Sequence, residues 1–348
     1  MKDQVKKKAS TLISQESLES WLNDQFFSRV VVAPRWVDGV LLYRTVTGSR
    51  EIAWDTLEYS KPGTPKKPLL SVKEIFFPPT EQLMTINNSG SEVIISEIKP
   101  QDKVLAFGIH PCDGQGVNIL DALFLENAPI DEYYRIRREN TILAGFTCQE
   151  MGPNCFCTSV GGSLDDPSGM DILFSATQNG YVVTAGTEKG HQLILEAGWE
   201  ESAVGDENHA TQEISPLPGK EKWQSGFKDI LWEKLGERCL SCRLCSYVCP
   251  TCRCFDVRDE ALPDGGYERI RCWDACTGAN YRRMGGGHRS RVENSERIRN
   301  RFYCKFYYYP AQYHLADPAA CTGCGRCIEV CPVGVDILEV LGEMGAKV

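Results

Sequence analysis

The spacing of the cysteines is the feature of this sequence that most directly implies chemistry. Eight of the 17 cysteines fall in two copies of one pattern, C-x2-C-x2-C-x3-C-P. The copies contain Cys239, Cys242, Cys245 and Cys249, and then Cys321, Cys324, Cys327 and Cys331. Three thiolates at this spacing can each bind a different iron of one cube, while the fourth cysteine points away. The repeat therefore predicts two [4Fe–4S] clusters.

The fourth cysteine of each motif is expected to bind the cluster of the other motif. On this logic one cluster has the ligands Cys239, Cys242, Cys245 and Cys331. The other has the ligands Cys321, Cys324, Cys327 and Cys249. The proline that follows each fourth cysteine predicts the first turn of a helix, where a missing N–H is tolerated.

Two other metal chemistries use similar spacings. Four thiolates also suit zinc, but zinc sites are built from paired C-x2-C units rather than from a triplet and a distant C-P. The spacing Cys245-x3-Cys249-x2-Cys252 is that of a radical-SAM site. That family has an aromatic residue where this chain has Thr251, and the crossed assignment already uses Cys245 and Cys249. The two-cluster interpretation is therefore favoured.

Four further cysteines, Cys112, Cys148, Cys155 and Cys157, stand alone in the first part of the chain. Cys112 and Cys148 each follow a predicted strand, and parallel neighbouring strands would bring both to one sheet edge. The C-x-C pair lies in a loop that can fold back toward them. A third iron–sulfur cluster is the favoured interpretation, and zinc or buried structural thiols are the alternatives.

The remaining cysteines have no assigned role from sequence. They are Cys252, Cys254, Cys272, Cys276 and Cys304. A further metal site is one possibility, and thiols that donate weak hydrogen bonds to the clusters are the other. A basic run over residues 282–305 is interpreted either as cations near a cluster or as a solvated helix face.

The elements that must position these cysteines can be read from hydrophobic periodicity. A helix is predicted over 14–27, and strands over 40–45, 51–55, 93–97, 104–108, 141–146, 172–176 and 181–185, with helices near 117–126 and 188–197. The predicted fold class is α+β: an N-terminal α/β domain over 1–225, then an α-helical ferredoxin-type domain over 226–348. A long insertion, at about 250–320, separates the motifs, and a linker is predicted at 204–222.

Composition restricts the compartment and the partners. The net charge of −9 argues against nucleic acid or anionic lipid as the main partner. No signal-peptide core follows the charged segment 1–8, and the apolar runs are too short to cross a bilayer. We therefore expect a cytoplasmic protein. In a reducing compartment 17 cysteines, an odd number, indicate metal ligation rather than a disulfide framework.

Motifs across the chain resemble one family of electron-transfer subunits. They are CLSCRLCSYVCPTCRCFDV at 239–257, RCWDAC at 271–276, GGH at 286–288, CTGCGRCIEVCPVGVDI at 321–337, GIHPCD at 108–113 and NCFCTS at 154–159. The family contains the β subunits of sulfhydrogenases, the A subunit of anaerobic sulfite reductase and heterodisulfide-reductase-associated relatives. His110 and Cys304 differ from residues common in that family.

The resemblance implies an iron–sulfur electron-transfer subunit of a multi-subunit anaerobic oxidoreductase. Its expected partners are a flavin-bearing NAD(P)- or ferredoxin-linked subunit and a catalytic subunit of the hydrogenase, sulfite reductase or heterodisulfide reductase type. No catalytic residue is predicted, because no nucleotide-binding or hydrolytic motif is present. A stand-alone ferredoxin-like carrier and a catalytic cluster enzyme are the alternative functions.

Overall fold

The computed structural model describes residues 10–57, 67–89, 92–199, 217–263, 265–313, 315 and 319–345. The strands are β1 (Ser10–Ile13), β2 (Val30–Val37), β3 (Val40–Val46), β4 (Thr80–Ser89), β5 (Glu92–Glu97), β6 (Val104–Ile109), β7 (Thr141–Phe146), β8 (Ile172–Thr177), β9 (Gly180–Ala185), β10 (Phe255–Ala261) and β11 (Tyr267–Trp273). The helices are α1 (Gln15–Ser28), α2 (Lys73–Phe76), α3 (Pro111–Phe124), α4 (Glu132–Asn140), α5 (Glu188–Glu196), α6 (Lys220–Ser225), α7 (Leu231–Arg238), α8 (Leu244–Tyr247), α9 (Asn294–Tyr303), α10 (Tyr309–Tyr313), α11 (Arg326–Glu329) and α12 (Ile337–Glu343).

A seven-stranded sheet forms the centre of the N-terminal part, in the order β1-β9-β8-β7-β6-β2-β3. Its middle strands β2, β6, β7 and β8 run parallel, and β3, β9 and β1 add antiparallel edges. Strands β6 and β7 are almost wholly buried because helices cover both faces of the sheet. One apolar layer includes Trp21 of α1 and Ile194 of α5, and the opposite layer includes Leu120 of α3. The carboxyl ends of β6 and β7 consequently meet at one sheet edge.

A second sheet joins the two halves of the chain. It has four antiparallel strands in the order β10-β11-β4-β5. The hairpin β10–β11 belongs to the insertion between the cysteine motifs, yet β11 pairs with β4 of the N-terminal part. Across this seam Arg271 forms buried ion pairs with Glu81 and Asp131. The two predicted domains therefore share a continuous sheet.

The C-terminal part is built on short helices around an aromatic core. Trp223 of α6 and Trp232 of α7 contact Tyr303 of α9 edge-on, and Phe306 stacks on Trp223. Full burial of such side chains contributes about 1.5–3 kcal/mol each. This core supports the two motif loops, which carry the small helices α8 and α11.

The α+β class, sheet-rich first and helical later, is confirmed, and several local predictions are wrong. Residues predicted as a strand over 51–55 form two 3-10 turns, because Trp54 folds inward onto Phe107. No helix begins at Pro250 or Pro332: each lies in a turn, and the helices α8 and α11 precede the fourth cysteines instead.

Only the end of the linker predicted at 204–222 lies among the described residues. Most of the linker, residues 204–216, lies outside the described residues, and its last residues begin α6.

Among the described residues, no helix has the length and apolar character needed to span a membrane.

Candidate metal centres

The first motif and the fourth cysteine of the second motif line one cavity that opens to solvent. Its wall contains Cys239, Cys242, Cys245 and Cys331. Two sulfurs accept backbone hydrogen bonds there: Ser241 N–H donates to Cys239 Sγ at 3.4 Å, and Val335 N–H donates to Cys331 Sγ at 3.1 Å. The crossed set predicted from sequence is thus brought together around a single space.

The second crossed set consists of Cys249 and the triplet of the second motif. Burial raises the pKa of the Cys321 thiol to about 11 and that of Cys327 to about 12, and the nearby Cys249 sulfur adds to both increases. Burial also raises the pKa of Cys324, with Cys249 again contributing. These mutual electrostatic effects place Cys249 beside the second triplet rather than with its own motif.

Cys249 is surrounded by donors. The Lys305 ammonium donates to Cys249 Sγ at 3.1 Å, and the Thr251 hydroxyl lies 3.3 Å from the same sulfur. The hydrogen bond from the Cys252 thiol lowers the pKa of Cys249 well below its usual value, against the effect of burial and with help from the charge of Lys305. An anionic sulfur at this buried position therefore has partners on several sides.

The two motif loops have the same backbone form. The residues on either side of the second cysteine have positive φ in both: Ser241 (54°) and Arg243 (69°), then Gly323 (61°) and Gly325 (74°). In the second loop a Cβ on Gly325 would meet Asn154 O at 2.2 Å, so glycine is required by close packing as well as by conformation. The first loop tolerates side chains there because its outer side is open.

The N-terminal thiols also converge. One cavity, at the carboxyl ends of β6 and β7, is lined by Cys112, Cys148, Cys155 and Cys157. The parallel pairing of these strands delivers Cys112 and Cys148 as predicted. The loop that carries the other two folds back onto the second motif, where Phe156 N–H donates to Gly323 O at 2.7 Å.

The same cavity contains polar groups suited to an anionic occupant. Lys67 Nζ lies 3.4 Å from Cys155 Sγ. His110 Nδ1 lies 3.3 Å from Cys148 Sγ, while the buried Nε2 has no hydrogen-bond partner among the residues that the structure describes. Burial lowers the pKa of His110 to about 4, so the ring is neutral. The four thiols could act as the ligands of an iron–sulfur cluster, and the ammonium of Lys67 would lie beside its negative charge.

The three thiol sets form a row. Cys327 of the second set also lines the cavity of the first set, and Cys324 also lines the cavity of the N-terminal set. The second set therefore shares a wall with each of the other two. In the described part of the chain, no three His, Cys, Asp or Glu side chains close around a single point as one metal ion would require. A cube instead takes one thiolate at each iron.

The five cysteines without a predicted role are distributed around these sets. Cys252 contacts Cys249, as described above, and Cys254 lies 3.6 Å from the Tyr281 hydroxyl with Cys276 as its other partner. Cys304 Sγ accepts from Arg253 at 3.1 Å, and Cys272 lies on β11 opposite Asp256. Only Cys252 has the position expected of a thiol that donates toward a ligand sulfur.

The basic run divides into two groups. Arg297, Arg301 and Lys305 are buried, and the Arg301 guanidinium donates to Cys245 O at 2.9 Å. Arg282, Arg283 and Arg289 are exposed. The buried group thus fits the interpretation as cations near a cluster, and the exposed group fits the interpretation as a solvated face.

Sequence reasoning missed three buried charges that hold the sites in place. Arg326, inside the second motif, pairs with Asp113 through two bonds of 2.7 and 2.8 Å, and both residues are fully buried. Lys73 Nζ donates to Cys252 O at 3.1 Å. A charged residue between two cysteine ligands was the available signal for Arg326, since its long side chain must leave the loop.

The fold and its thiol sets define an iron–sulfur protein with a dicluster domain. A family model of the 4Fe-4S dicluster domain matches residues 238–335. The chain is 33% identical over 296 residues to the β subunit of sulfhydrogenase 2 from Pyrococcus furiosus. The aligned region covers 79% of this chain and 83% of that protein. The chain belongs to the family of sulfhydrogenase β-type iron–sulfur subunits. No solved structure matches it.

Proposed function

We propose that this chain is an electron-transfer subunit that holds three [4Fe–4S] clusters in a row. The first is bound by Cys239, Cys242, Cys245 and Cys331, the second by Cys249, Cys321, Cys324 and Cys327, and the third by Cys112, Cys148, Cys155 and Cys157. The observation that carries the proposal is the sharing of walls: Cys327 and Cys324 each border a neighbouring set.

Such clusters supply one-electron storage at potentials set by their surroundings. The residues of this chain provide those surroundings. Lys305, which is buried, places positive charge beside Cys249 of the second set, and the ammonium of Lys67 does so beside the third. The buried guanidinium of Arg301 lines the cavity of the first set. Backbone N–H groups of Ser241 and Val335 stabilise negative charge at the first. The aromatic core packs around Cys321 and against Cys327 of the second set.

The proposed partners follow from the relative. Its printed name describes a β subunit, so that protein belongs to a complex. We infer that the present chain likewise relays electrons between a flavin-bearing NAD(P)- or ferredoxin-linked subunit and a catalytic subunit of the hydrogenase, sulfite reductase or heterodisulfide reductase type. On this proposal the chain has no catalysis of its own.

The first expected result concerns metal content. The full chain, reconstituted anaerobically with iron and sulfide, should bind at least about eight irons, from two clusters of four, and should absorb broadly and bleach on addition of dithionite. Iron and acid-labile sulfide assays test this directly. Stoichiometric zinc without iron would contradict the assignment of both motifs.

The second expected result isolates the third cluster. The full chain should bind about twelve irons, and Cys155→Ala should bind about eight, because one of the four thiolates assigned to the third cluster is lost. Cys272→Ala is the matched control, since Cys272 lies on β11 opposite Asp256, and it should keep about twelve. If both variants and the unmodified chain hold the same eight, the N-terminal thiols are structural.

A further inference from the structure

Cys242 stands out from the other cysteines by its exposure. All 17 cysteines are described, and only Cys242 is exposed. Its neighbours Leu240 and Leu244 are 64% and 42% exposed, although both are apolar. The first thiol set therefore reaches the protein surface at this loop, whereas Cys249, Cys321 and Cys324 of the second set are buried.

A strongly basic segment adjoins this loop. Thr277 lines the same cavity as Cys242, and the next residue, Gly278, lies against the Arg243 side chain: a Cβ there would meet Arg243 Nε at 2.6 Å. Arg289 Nη1 donates to Ala279 O at 3.3 Å, which ties the following loop to this point. The surface formed by these segments, here called the arginine surface, comprises Arg243, Arg282, Arg283, Arg289 and Arg291.

The charges of the arginine surface lack carboxylate partners in the part of the chain that the structure describes. None of its five guanidinium groups forms an ion pair with a carboxylate of the described residues, whereas Arg238, Arg258 and Arg269 on other surfaces do. The chain as a whole carries a net charge of −9. A concentrated positive region on an acidic protein favours an acidic partner at that place.

We propose that the arginine surface, together with the exposed Leu240 and Leu244 of the adjoining motif loop, is the docking site of an acidic electron-carrier protein. The proposal rests on the cluster assigned to Cys239, Cys242, Cys245 and Cys331. One electron crosses the contact; the carrier changes its oxidation state by one unit, this chain changes by the opposite unit, and no covalent bond forms or breaks. The exposed leucines supply apolar contact area and the arginines supply the charge that such contacts use.

Charge steering gives the proposal a kinetic signature. Attraction between opposite surfaces accelerates encounter by about 10–1000-fold at low ionic strength, and salt removes this gain. Nucleic acid also binds arginine-rich surfaces, but it offers no redox centre to Cys242 and would be repelled by the rest of this acidic chain. The occupant favoured by the observations is thus a protein.

The test uses the full reconstituted chain and an acidic bacterial ferredoxin as the probe. Reduced ferredoxin is mixed with the oxidised chain at increasing salt, and samples frozen at successive times are measured by electron paramagnetic resonance, which resolves the signal gained by the chain from the signal lost by the ferredoxin. The rate constant should fall as salt rises, and Arg282→Glu/Arg289→Glu should lower it about 10-fold or more at low salt. Dissociation constants for oxidised ferredoxin should rise in parallel.

Two controls separate this proposal from the assignment of the cluster. Arg50→Glu/Lys103→Glu makes the same charge change at exposed positions of the N-terminal part and should leave the rate constant unchanged. Iron content and bleaching by dithionite, measured in all variants, report the cluster itself. Equal rate constants for both double variants, or binding of short duplex DNA in place of ferredoxin, would overturn the docking site while leaving the cluster assignment intact.

Discussion

Cys249→Ser is expected to remove the cluster assigned to the second motif, although Cys249 belongs to the first. The sulfur of Cys249 lies among those of Cys321, Cys324 and Cys327, and a serine hydroxyl is a far weaker iron ligand than a thiolate. About four irons should be lost. Electron paramagnetic resonance of the reduced protein should lose the same signal in Cys249→Ser as in Cys321→Ser.

Two further variants make this test decisive. Cys331→Ser should instead lose the signal that is absent from Cys239→Ser, because Cys331 lines the cavity of the first set. Cys252 contacts Cys249 and could replace it as a ligand, so Cys249→Ser/Cys252→Ser removes that route. If Cys249→Ser shares its lost signal with Cys239→Ser, each motif binds its own cluster and the crossed assignment is wrong.

Arg326→Met is expected to destabilise the protein by about 3–5 kcal/mol. The substitution leaves the carboxylate of Asp113 buried, with the Tyr43 hydroxyl at 3.1 Å as its remaining polar side-chain partner, and an uncompensated buried charge has a cost of this size. Urea unfolding of the anaerobic holoprotein, with iron assayed in each sample, measures the difference.

The controls for this prediction use the same chemistry elsewhere. Asp113→Asn/Arg326→Met removes both charges and should recover much of the loss, since neither group then remains charged and unpaired. Arg238→Met breaks an ion pair with Glu339 at the surface, where both side chains are about 40% exposed, and should change stability by less than about 1 kcal/mol. Equal losses of unfolding free energy for Arg326→Met and Arg238→Met would show that the buried pair contributes no more to stability than the surface pair.

The sequence predicts best what depends on local spacing. The cysteine repeat is visible as letters, and the buried strands β6 and β7 are visible as apolar runs, so the edge that carries Cys112 and Cys148 could be expected in advance. The α+β class follows from the same patterns. The crossed sets require cysteines that are far apart in the chain to come together. The motif itself predicts this approach, and Cys331 lies in the wall of the cavity of the first set.

The sequence predicts poorly what depends on a distant partner. The strand β4 and the hairpin β10–β11 were missed, although the letters PDGG at 263–266 between two alternating segments are a hairpin signal. Their pairing could not be predicted, because β11 finds its second neighbour in another part of the chain. The buried pair of Arg326 and Asp113 was missed for the same reason, because the burial of each charged side chain can be understood only once its partner is known.

The sheet shared by β4 and β11 has a consequence for how the protein is made. Glu81 and Arg271, which meet across that seam, are 190 residues apart in sequence. At about 5–20 residues per second, a ribosome needs about 10–40 s to synthesise the missing strand. During that time the nascent β4–β5 hairpin has an unpaired edge, beside the exposed Val93, Ile94 and Ile95. Until β11 is synthesised, this edge is therefore the part of the nascent chain most exposed to pairing with a strand of another molecule.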